Sequence, residues 1–285
     1  MLTDTHCHLD LDKFDADRDE VIRRAELAGL SRILIPGLTV ASSRNVVQLA
    51  YTHPMLFAAV GVHPNDASTW DEQTISSLKQ LISSPSKTTL SGRGGKVVAI
   101  GEIGLDYYWK AATPKDQIEI LKLQLALALE VRLPVVLHCR EDGDKEHGAC
   151  AEDLLNILEH WIINLEGTNH PLLERPGVLH SFSGSLEIAQ RAIKLGFFIG
   201  ITGPITYKNA DNRRRVTAGL PLEKLLIETD SPFLAPHPNR GKRNEPAFVA
   251  HIADKIAEIK SCTPQEVAAM TTKNAARLFA WEETV

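Results

Sequence analysis

The sequence predicts an α/β fold, a TIM (β/α)8 barrel in which eight parallel strands form a closed ring covered by helices. Short apolar runs rich in β-branched residues recur along the chain without alternating polar residues, which is typical of strands covered on both faces. Amphipathic stretches separate these runs, and no internal repeat or low-complexity tract interrupts the order. Eight units of strand and helix favour the barrel, and a doubly wound open sheet is the alternative.

Each predicted strand is followed by a segment of helical periodicity. The strands are residues 2–5, 32–36, 56–62, 97–101, 135–138, 177–180, 197–201 and 225–228. The clearest helix covers residues 117–132, and Thr113 and Pro114 precede it as N-cap and first helical residue. The capping box Thr263-Pro264-Gln265-Glu266 opens a last helix that extends to about Ala280.

Length and composition indicate an ordinary globular protein. The chain has 285 residues, 44% of them hydrophobic and 24% charged, which excludes disordered and collagen-like proteins. We expect a single domain over residues 1–285, since barrels of this length fold as one unit. Two long loops, over residues 83–95 and 167–176, each follow a helix and precede a strand. They are therefore expected on the face of the barrel opposite the usual site of chemistry.

Charge and cysteine content indicate which binding partners and which cellular compartment to expect for this protein. The 31 basic and 36 acidic residues give a net charge of −5, which disfavours a broad surface for duplex nucleic acid but permits a local phosphate pocket. The four cysteines show no disulfide pattern, and the first residues do not resemble a signal peptide. No apolar run approaches the ~18 residues of a membrane span. We expect a cytoplasmic monomer with no membrane partner.

Histidines and acidic residues are concentrated at the carboxyl ends of the predicted strands. Because these ends form one ring in a barrel, side chains from distant parts of the chain converge there on one site. The residues at these positions are His6, His8, His63, Glu102, His138, His180, Glu228 and Asp230. Glu228 is expected either to orient a ligand or to form an internal salt bridge.

The residue types in this ring predict a metal centre. His6 and His8 are two apart on extended chain, so both imidazoles face one side, whereas Cys7 faces the other. A buried carboxylate such as Glu102 needs a partner, either a cation or backbone N–H groups. Mixed imidazole and carboxylate ligands suit Zn²⁺, Mn²⁺, Fe²⁺ or Ni²⁺, and imidazole is a poorer match for Mg²⁺. With Asp230 the ring offers enough ligands for two ions, although ordinary hydrogen-bonded histidines are the alternative.

Basic residues on the same face are candidates for holding phosphate. Arg140 follows the fifth strand, and the loop over residues 238–246 carries Arg240 and Lys242 around a glycine. Arginine forks onto phosphate oxygens, and barrels often bind phosphate after their last strands, but a solvated surface turn is the alternative. The acidic loop over residues 141–150 lies on this face as well and is expected to influence substrate choice.

Seven short motifs follow one another between residues 4 and 246. They are Asp4-Thr5-His6-Cys7-His8-Leu9, Gly61-Val62-His63-Pro64, Gly101-Glu102-Ile103-Gly104-Leu105-Asp106-Tyr107, His138-Cys139-Arg140, His180-Ser181-Phe182-Ser183-Gly184, Glu228-Thr229-Asp230-Ser231-Pro232 and Arg240-Gly241-Lys242-Arg243-Asn244-Glu245-Pro246. Each alone is weak, but together they are specific. The whole chain resembles the TatD family of metal-dependent hydrolases, in the amidohydrolase-like superfamily.

The resemblance implies a site for two metal ions on a TIM barrel. By motif, the first ion is bound by His6, His8 and Asp230, both ions by a bridging Glu102, and the second ion by His138 and His180. Family members are metal-dependent deoxyribonucleases that act as 3′-to-5′ exonucleases on single-stranded DNA. Some relatives instead remove D-amino acids from mischarged tRNA.

The predicted function is therefore hydrolysis of phosphodiester bonds in single-stranded DNA. Two divalent ions (Mg²⁺, Mn²⁺ or Zn²⁺) are expected to activate a water, with Asp230 as the proton acceptor and Glu102 as the second catalytic residue. The residues expected to bind the phosphates are His63, Arg140, Arg240 and Lys242. Two other functions remain open: a hydrolase of carbonyl esters such as D-aminoacyl-tRNA, and a metal-dependent interaction module without catalysis.

Overall fold

Eight parallel strands form the predicted barrel, in the order of the chain. The structure is a computed structural model and describes residues 1–83 and 95–281. The strands are β1 (Leu2–Asp4), β2 (Leu30–Pro36), β3 (Leu56–Val60), β4 (Val97–Asp106), β5 (Val135–Arg140), β6 (Gly177–Leu179), β7 (Phe198–Ile201) and β8 (Leu225–Ile227). Sequential strand order excludes the doubly wound sheet. The loop predicted over residues 83–95 lies, apart from its two end residues, outside the described part of the chain.

Helices alternate with the strands and cover the outside of the barrel. They are α1 (Arg18–Leu27), α2 (Val40–Ala50), α3 (Thr74–Ser83), α4 (Pro114–Val131), α5 (Ala149–Ile163), α6 (Leu186–Lys194), α7 (Asp211–Gly219), α8 (Val249–Lys260) and α9 (Pro264–Phe279). Thr113 caps α4 by accepting the Asp116 N–H, at 3.2 Å. Thr263 and Glu266 form the predicted capping box of α9. Within residues 1–83 and 95–281, no helix is both long enough and apolar enough to span a bilayer.

The ring closes between β8 and β1 through the residues that follow these strands. The Asp230 N–H donates to the His6 carbonyl at 2.9 Å, and the His8 N–H donates to the Ser231 carbonyl at 2.8 Å. These bonds keep the chain after β1 extended. They also place His6 beside Asp230, although the two residues are far apart in sequence.

Two apolar layers hold the barrel together. The outer layer lies between the strands and the surrounding helices. The inner layer fills the barrel, and the end of α9 closes it at the amino ends of the strands. Its members are Leu34, Ala59, Val98, Ala99, Val136, Val178, Phe198, Leu226, Ala275, Leu278, Phe279 and Trp281. The open end of the barrel is therefore at the carboxyl ends of the strands, which we call the mouth.

Strand β4 is longer than the sequence predicts, and its additional residues reach the mouth. The prediction ended this strand at Gly101, but the strand continues through Gly101 and Gly104 to Asp106. Its register against β5 shifts between Ile100 and Ile103, so Glu102 lies in a bulge. Bulges are frequent next to active sites, where they redirect a side chain.

The loop over residues 167–176 lies at the amino face, as predicted. The His170 ring contacts the Leu129 carbonyl at 3.1 Å, near the end of α4, and Arg175 donates to the Leu278 carbonyl at 3.1 Å, at the end of α9. This loop is therefore separated from the mouth by the length of the barrel.

Gly104 provides a test of how β4 supports the site. Its φ of +143° is rarely adopted by other residues, and an added Cβ would overlap the His138 carbonyl oxygen on β5. We expect Gly104→Ala to lower the free energy of unfolding by at least about 2 kcal/mol, measured by urea denaturation. Gly95→Ala is the matched control, because a Cβ there meets none of the described residues within 4 Å. Equal stabilities of the two variants would contradict this account of β4.

Candidate metal centre

The mouth brings together all six residues that the sequence predicts as metal ligands. His6 and His8 follow β1, Glu102 lies in β4, and His138 lies in β5; His180 follows β6, and Asp230 follows β8. All are buried except His138 and Asp230, which are partly exposed. Three overlapping groups of potential ligand atoms lie within 4.8 Å of one another: His6, His180 and Asp230; His6, His8 and Glu102; His63, Glu102 and His138.

His6, His8, Glu102 and Asp230 have the spacing of ligands around one ion. The Nε2 atoms of His6 and His8 are 3.2 Å apart. His6 Nε2 lies 3.3 Å from Glu102 Oε2, and His8 Nε2 lies 3.4 Å from Asp230 Oδ1. Ligand atoms about 2.0–2.1 Å from a tetrahedral ion lie roughly 3.3 Å apart. Nitrogen and carboxylate oxygen at this spacing fit a divalent transition-metal ion.

The two oxygens of the Glu102 carboxylate face different histidines. Oε2 faces His6 and His8, at 3.3 and 3.8 Å. Oε1 faces His138 Nδ1 at 3.0 Å and His63 Nε2 at 3.7 Å. A carboxylate placed in this way can contribute one oxygen to each of two neighbouring sites.

Two histidines occupy places that differ from the expected grouping. His180, expected beside His138, has its Nε2 3.7 Å from Asp230 Oδ1 and its ring stacked on His6 with centroids 3.3 Å apart. His63, expected to bind phosphate, lies beside Glu102 and His138. Judged by distance alone, His63 rather than His180 would join His138 as a metal ligand.

Hydrogen bonds distinguish the chemistry of these two rings. His63 Nδ1 accepts the Asn65 N–H at 3.1 Å, so in the neutral ring Nε2 carries the hydrogen and can only donate. His180 Nδ1 donates to Glu228 Oε2 at 2.8 Å, so in the neutral ring Nε2 has the free lone pair. His180 therefore has the tautomer of a metal ligand and His63 that of a hydrogen-bond donor.

His138 is oriented by a second carboxylate. Its Nε2 lies 2.9 Å from Asp106 Oδ2 and its Nδ1 lies 3.0 Å from Glu102 Oε1, so the protonated ring donates to both carboxylates. A metal ion in place of the Nδ1 hydrogen would leave Asp106 to accept the Nε2 hydrogen and orient the ring. The sequence reasoning missed Asp106 as a site residue. Glu102 and Asp106 are four apart on one strand and so share a face; this signal was hidden because the strand was predicted to end at Gly101.

The local charges hold the two carboxylates ionised. Burial opposes ionisation of Glu102, yet the facing His6 and His63 and the hydrogen bond from His138 hold its pKa well below the usual range. Burial likewise opposes ionisation of Asp230, whose pKa is lowered by its hydrogen bond to His8 and by His180. Two ionised carboxylates among imidazoles form a site that attracts cations.

The pKa values of the histidines differ because the side chains beside them differ. Burial, together with the neighbouring His138, lowers the pKa of His63 to about 3. Burial also opposes protonation of His138 and His180, but Asp106 and Glu102 raise the pKa of His138 to about 10, and Glu228 raises that of His180 to about 9. The last two imidazoles therefore lie where positive charge is stabilised, as it would be by a bound ion.

The cysteines near the ligands point away from the site, as predicted. Cys7 Sγ lies 2.9 Å from Ser231 Oγ, and Cys139 Sγ lies 3.9 Å from Cys150 Sγ. Among the described residues, the groups able to hold a metal contain histidine, aspartate and glutamate alone.

The predicted phosphate-binding cations lie at the edge of the mouth. Arg140 donates to Asp144 Oδ1 at 2.8 Å and stacks over the Tyr108 ring at 3.8 Å. Arg240 lies over the Tyr207 ring at 4.4 Å, and Lys242 is exposed. The negative charges of the acidic loop over residues 141–150 are largely paired with basic side chains. Asp144 pairs with Arg140. Asp142 lies 3.4 Å from Lys110, and Glu146 lies 3.6 Å from Arg215.

Comparison with known proteins agrees with this site. Residues 3–280 match a family model described as TatD related DNase. The chain belongs to the TatD family. It is 40% identical over 280 residues to the uncharacterized metal-dependent hydrolase YabD of Bacillus subtilis, covering 98% of this chain and 99% of that protein. This TatD protein is therefore a metal-dependent hydrolase.

Two further relatives of this TatD protein have more specific descriptions. The 3′-5′ ssDNA/RNA exonuclease TatD of Erwinia tasmaniensis is 37% identical over 273 residues, covering 94% of this chain and 95% of that protein. The crystal structure of YJJV, a TatD homolog from Escherichia coli K12, superimposes with a TM-score of 0.84 at 33% identity, covering 99% and 98% of the two chains. The barrel predicted from the sequence is thus that of a solved TatD structure.

Glu228 provides a test of the metal centre. Its carboxylate accepts the hydrogen of His180 Nδ1, and an amide at this place would no longer fix the ligand tautomer. We expect Glu228→Gln to weaken Mn²⁺ binding by roughly 10- to 100-fold, measured by calorimetric titration of chelator-treated protein. The exposed Glu223→Gln is the control for loss of one carboxylate. Unchanged Mn²⁺ affinity in Glu228→Gln would show that His180 is not a ligand.

Proposed function

We propose that this TatD family protein is a two-metal phosphodiesterase that removes nucleotides from the 3′ end of single-stranded DNA. The observation that carries the proposal is the division of the Glu102 carboxylate, with Oε2 toward His6 and His8 and Oε1 toward His138. Relatives named as 3′-5′ ssDNA/RNA exonucleases support the substrate class.

Each ion would be held by a different set of side chains around the shared carboxylate. The first set is His6, His8, Asp230 and Glu102 Oε2, and the second is His138, His180 and Glu102 Oε1. When bound, two divalent ions lower the pKa of a water and neutralise charge on a phosphoryl oxygen. The mixed donors favour Mn²⁺ or Zn²⁺ over Mg²⁺.

In this proposal Asp230 accepts a proton from the attacking water. Its carboxylate is ionised despite burial, because His8 and His180 face it. Its backbone has a φ of +55°, a conformation that is uncommon outside glycine and concentrates at functional sites. The hydrogen bond from its N–H to the His6 carbonyl holds that backbone in place.

The substrate phosphates would be bound by donors around the mouth. In the neutral His63 ring Nε2 carries the hydrogen and lies 3.7 Å from Glu102 Oε1, so it would serve as a neutral donor to a phosphate bound beside Glu102. Arg140 is fixed by Asp144 and Tyr108, whereas the exposed Arg240 and Lys242 lie further out. Oxyanion charge that develops in the transition state is stabilised by such preorganised donors.

The test is product analysis on end-labelled single-stranded DNA. Protein is treated with chelator and resupplied separately with Mg²⁺, Mn²⁺ and Zn²⁺, and we expect a metal-dependent ladder that shortens from the 3′ end. Asp230→Asn should lower kcat by about 10²- to 10⁴-fold, the usual contribution of a general base, while circular dichroism shows an intact fold.

The control is Asp254→Asn, which makes the same chemical change on the exposed surface of α8 and should retain full activity. Unchanged hydrolysis by Asp230→Asn would contradict the assigned role. If no ion supports DNA cleavage but D-aminoacyl-tRNA is hydrolysed, the substrate belongs to the carbonyl esters instead.

A further inference from the structure

Two exposed aromatic side chains lie at the mouth, where burial would be the ordinary state of such groups. Among the described residues, the exposed tryptophan and phenylalanine side chains are Trp109 and Phe233, with 62% and 44% of their surface accessible. Trp109 follows β4 and Phe233 follows β8. Exposed large apolar groups of this kind mark binding sites when they cluster near a functional centre.

The backbone at Trp109 is tied to the metal centre by hydrogen bonds. The N–H groups of Tyr108 and Trp109 donate to Asp106 Oδ1 at 2.9 and 3.0 Å. The other oxygen of Asp106 accepts from His138 at 2.9 Å. One carboxylate therefore orients both a candidate metal ligand and the turn that exposes the indole, so the position of Trp109 relative to the centre is defined.

A cation accompanies the exposed indole. The Arg140 guanidinium carbon lies 3.8 Å from the centroid of the Tyr108 ring and 5.5 Å from that of Trp109. The two aromatic rings pack edge to face with centroids 5.0 Å apart. An aromatic surface beside an arginine is the combination that binds a base and its phosphate in single-stranded nucleic acid.

Phe233 repeats this combination on the other side of the mouth. Its N–H donates to the Asp230 carbonyl at 2.9 Å, its ring lies 6.2 Å from the His8 ring, and Lys13 Nζ lies 5.0 Å from its centroid. Strands β4 and β8 are four apart in a ring of eight, so they lie on opposite sides of the barrel. The two aromatic side chains therefore lie on either side of the metal centre.

We propose that Trp109 and Phe233 are base-stacking platforms that hold a single strand across the mouth, with the scissile phosphate between them. This inference rests on the proposed phosphodiesterase function and identifies positioning residues for it. Stacking requires unpaired bases, so it selects single strands over duplex. It does not depend on hydrogen-bond readout of the bases, so it tolerates any sequence.

The test compares single-stranded dT tetranucleotides in which one nucleotide at a time is replaced by abasic deoxyribose. The phosphates are the same throughout, so a difference in kcat/KM of the metal-loaded enzyme reports the missing base. For the wild-type enzyme we expect kcat/KM to fall by about 5- to 150-fold at two positions, the range that loss of one stacking contact gives. An abasic site at any other position of the strand should change kcat/KM little.

Variants assign each position to one side chain. Trp109→Leu should abolish the effect of the abasic site at one position, and Phe233→Leu at the other. Trp109→Phe keeps an aromatic ring and should retain most of the effect. Leu123→Ala is the matched control, because Leu123 is also exposed, at 43%, but lies on the outer surface of α4.

Three results would overturn the proposal. The first is equal kcat/KM of the wild-type enzyme for intact and abasic strands. The second is a Trp109→Leu variant that changes kcat/KM by the same factor for every substrate. The third is a change of molecular mass in sedimentation caused by Trp109→Leu, which would assign the indole to a contact between copies of the chain.

A second readout separates this proposal from the function on which it rests. In chelator-treated protein no bond is cleaved, and the intact dT tetranucleotide should quench tryptophan fluorescence more than a fully abasic strand does. That difference should disappear in Trp109→Leu. If the intact strand quenches fluorescence but the metal-loaded enzyme hydrolyses no strand, the proposed function is rejected, whereas the role of the aromatic side chains in base stacking is retained. Hydrolysis without an effect of the bases would reject the platforms alone.

Discussion

The structure of the mouth depends on one buried negative charge, the carboxylate of Glu102. Leaving a carboxylate ionised away from water is costly unless positive or hydrogen-bonding groups surround it. Here imidazoles of His6, His8, His63 and His138 lie within 3.0–3.8 Å of its two oxygens. They come from three parts of the chain, after β1, after β3 and within β5, so the barrel fold is what brings these compensating groups to the carboxylate. A divalent ion on each side of the Glu102 carboxylate would complete the compensation of its charge.

The surrounding structure serves to hold these imidazoles at fixed angles. Asp106 orients His138, and Glu228 orients His180. Asp4 accepts hydrogen bonds from the His6 and Thr229 N–H groups, at 3.2 and 2.9 Å, and thereby ties the end of β1 to the end of β8. These carboxylates lie behind the ligands and act through them, which is the usual arrangement around metal sites.

The sequence was sufficient to predict the barrel and the convergence of the six candidate ligands at its mouth, because both leave recurring signals along the chain. Buried parallel strands read as apolar runs, and ligands recur where these runs end. The extent of β4 could not be predicted, since Gly101 and Gly104 interrupt its apolar pattern, whereas in the structure they lie beside a bulge and at the close approach of β5. The tautomers that separate His63 from His180 depend on Asn65 and Glu228 as neighbours. The exposure of Trp109 likewise depends on tertiary structure.

The central claim is that Glu102 lies between two divalent ions, and anomalous diffraction from crystals of the protein loaded with Mn²⁺ tests it most directly. The account predicts two anomalous peaks, one next to Glu102 Oε2, His6 and His8 and the other next to Glu102 Oε1 and His138. If one carboxylate bridges the two ions, the peaks should be about 3.5–4 Å apart. A single peak that Glu102 does not contact, or peaks outside the mouth, would contradict the account.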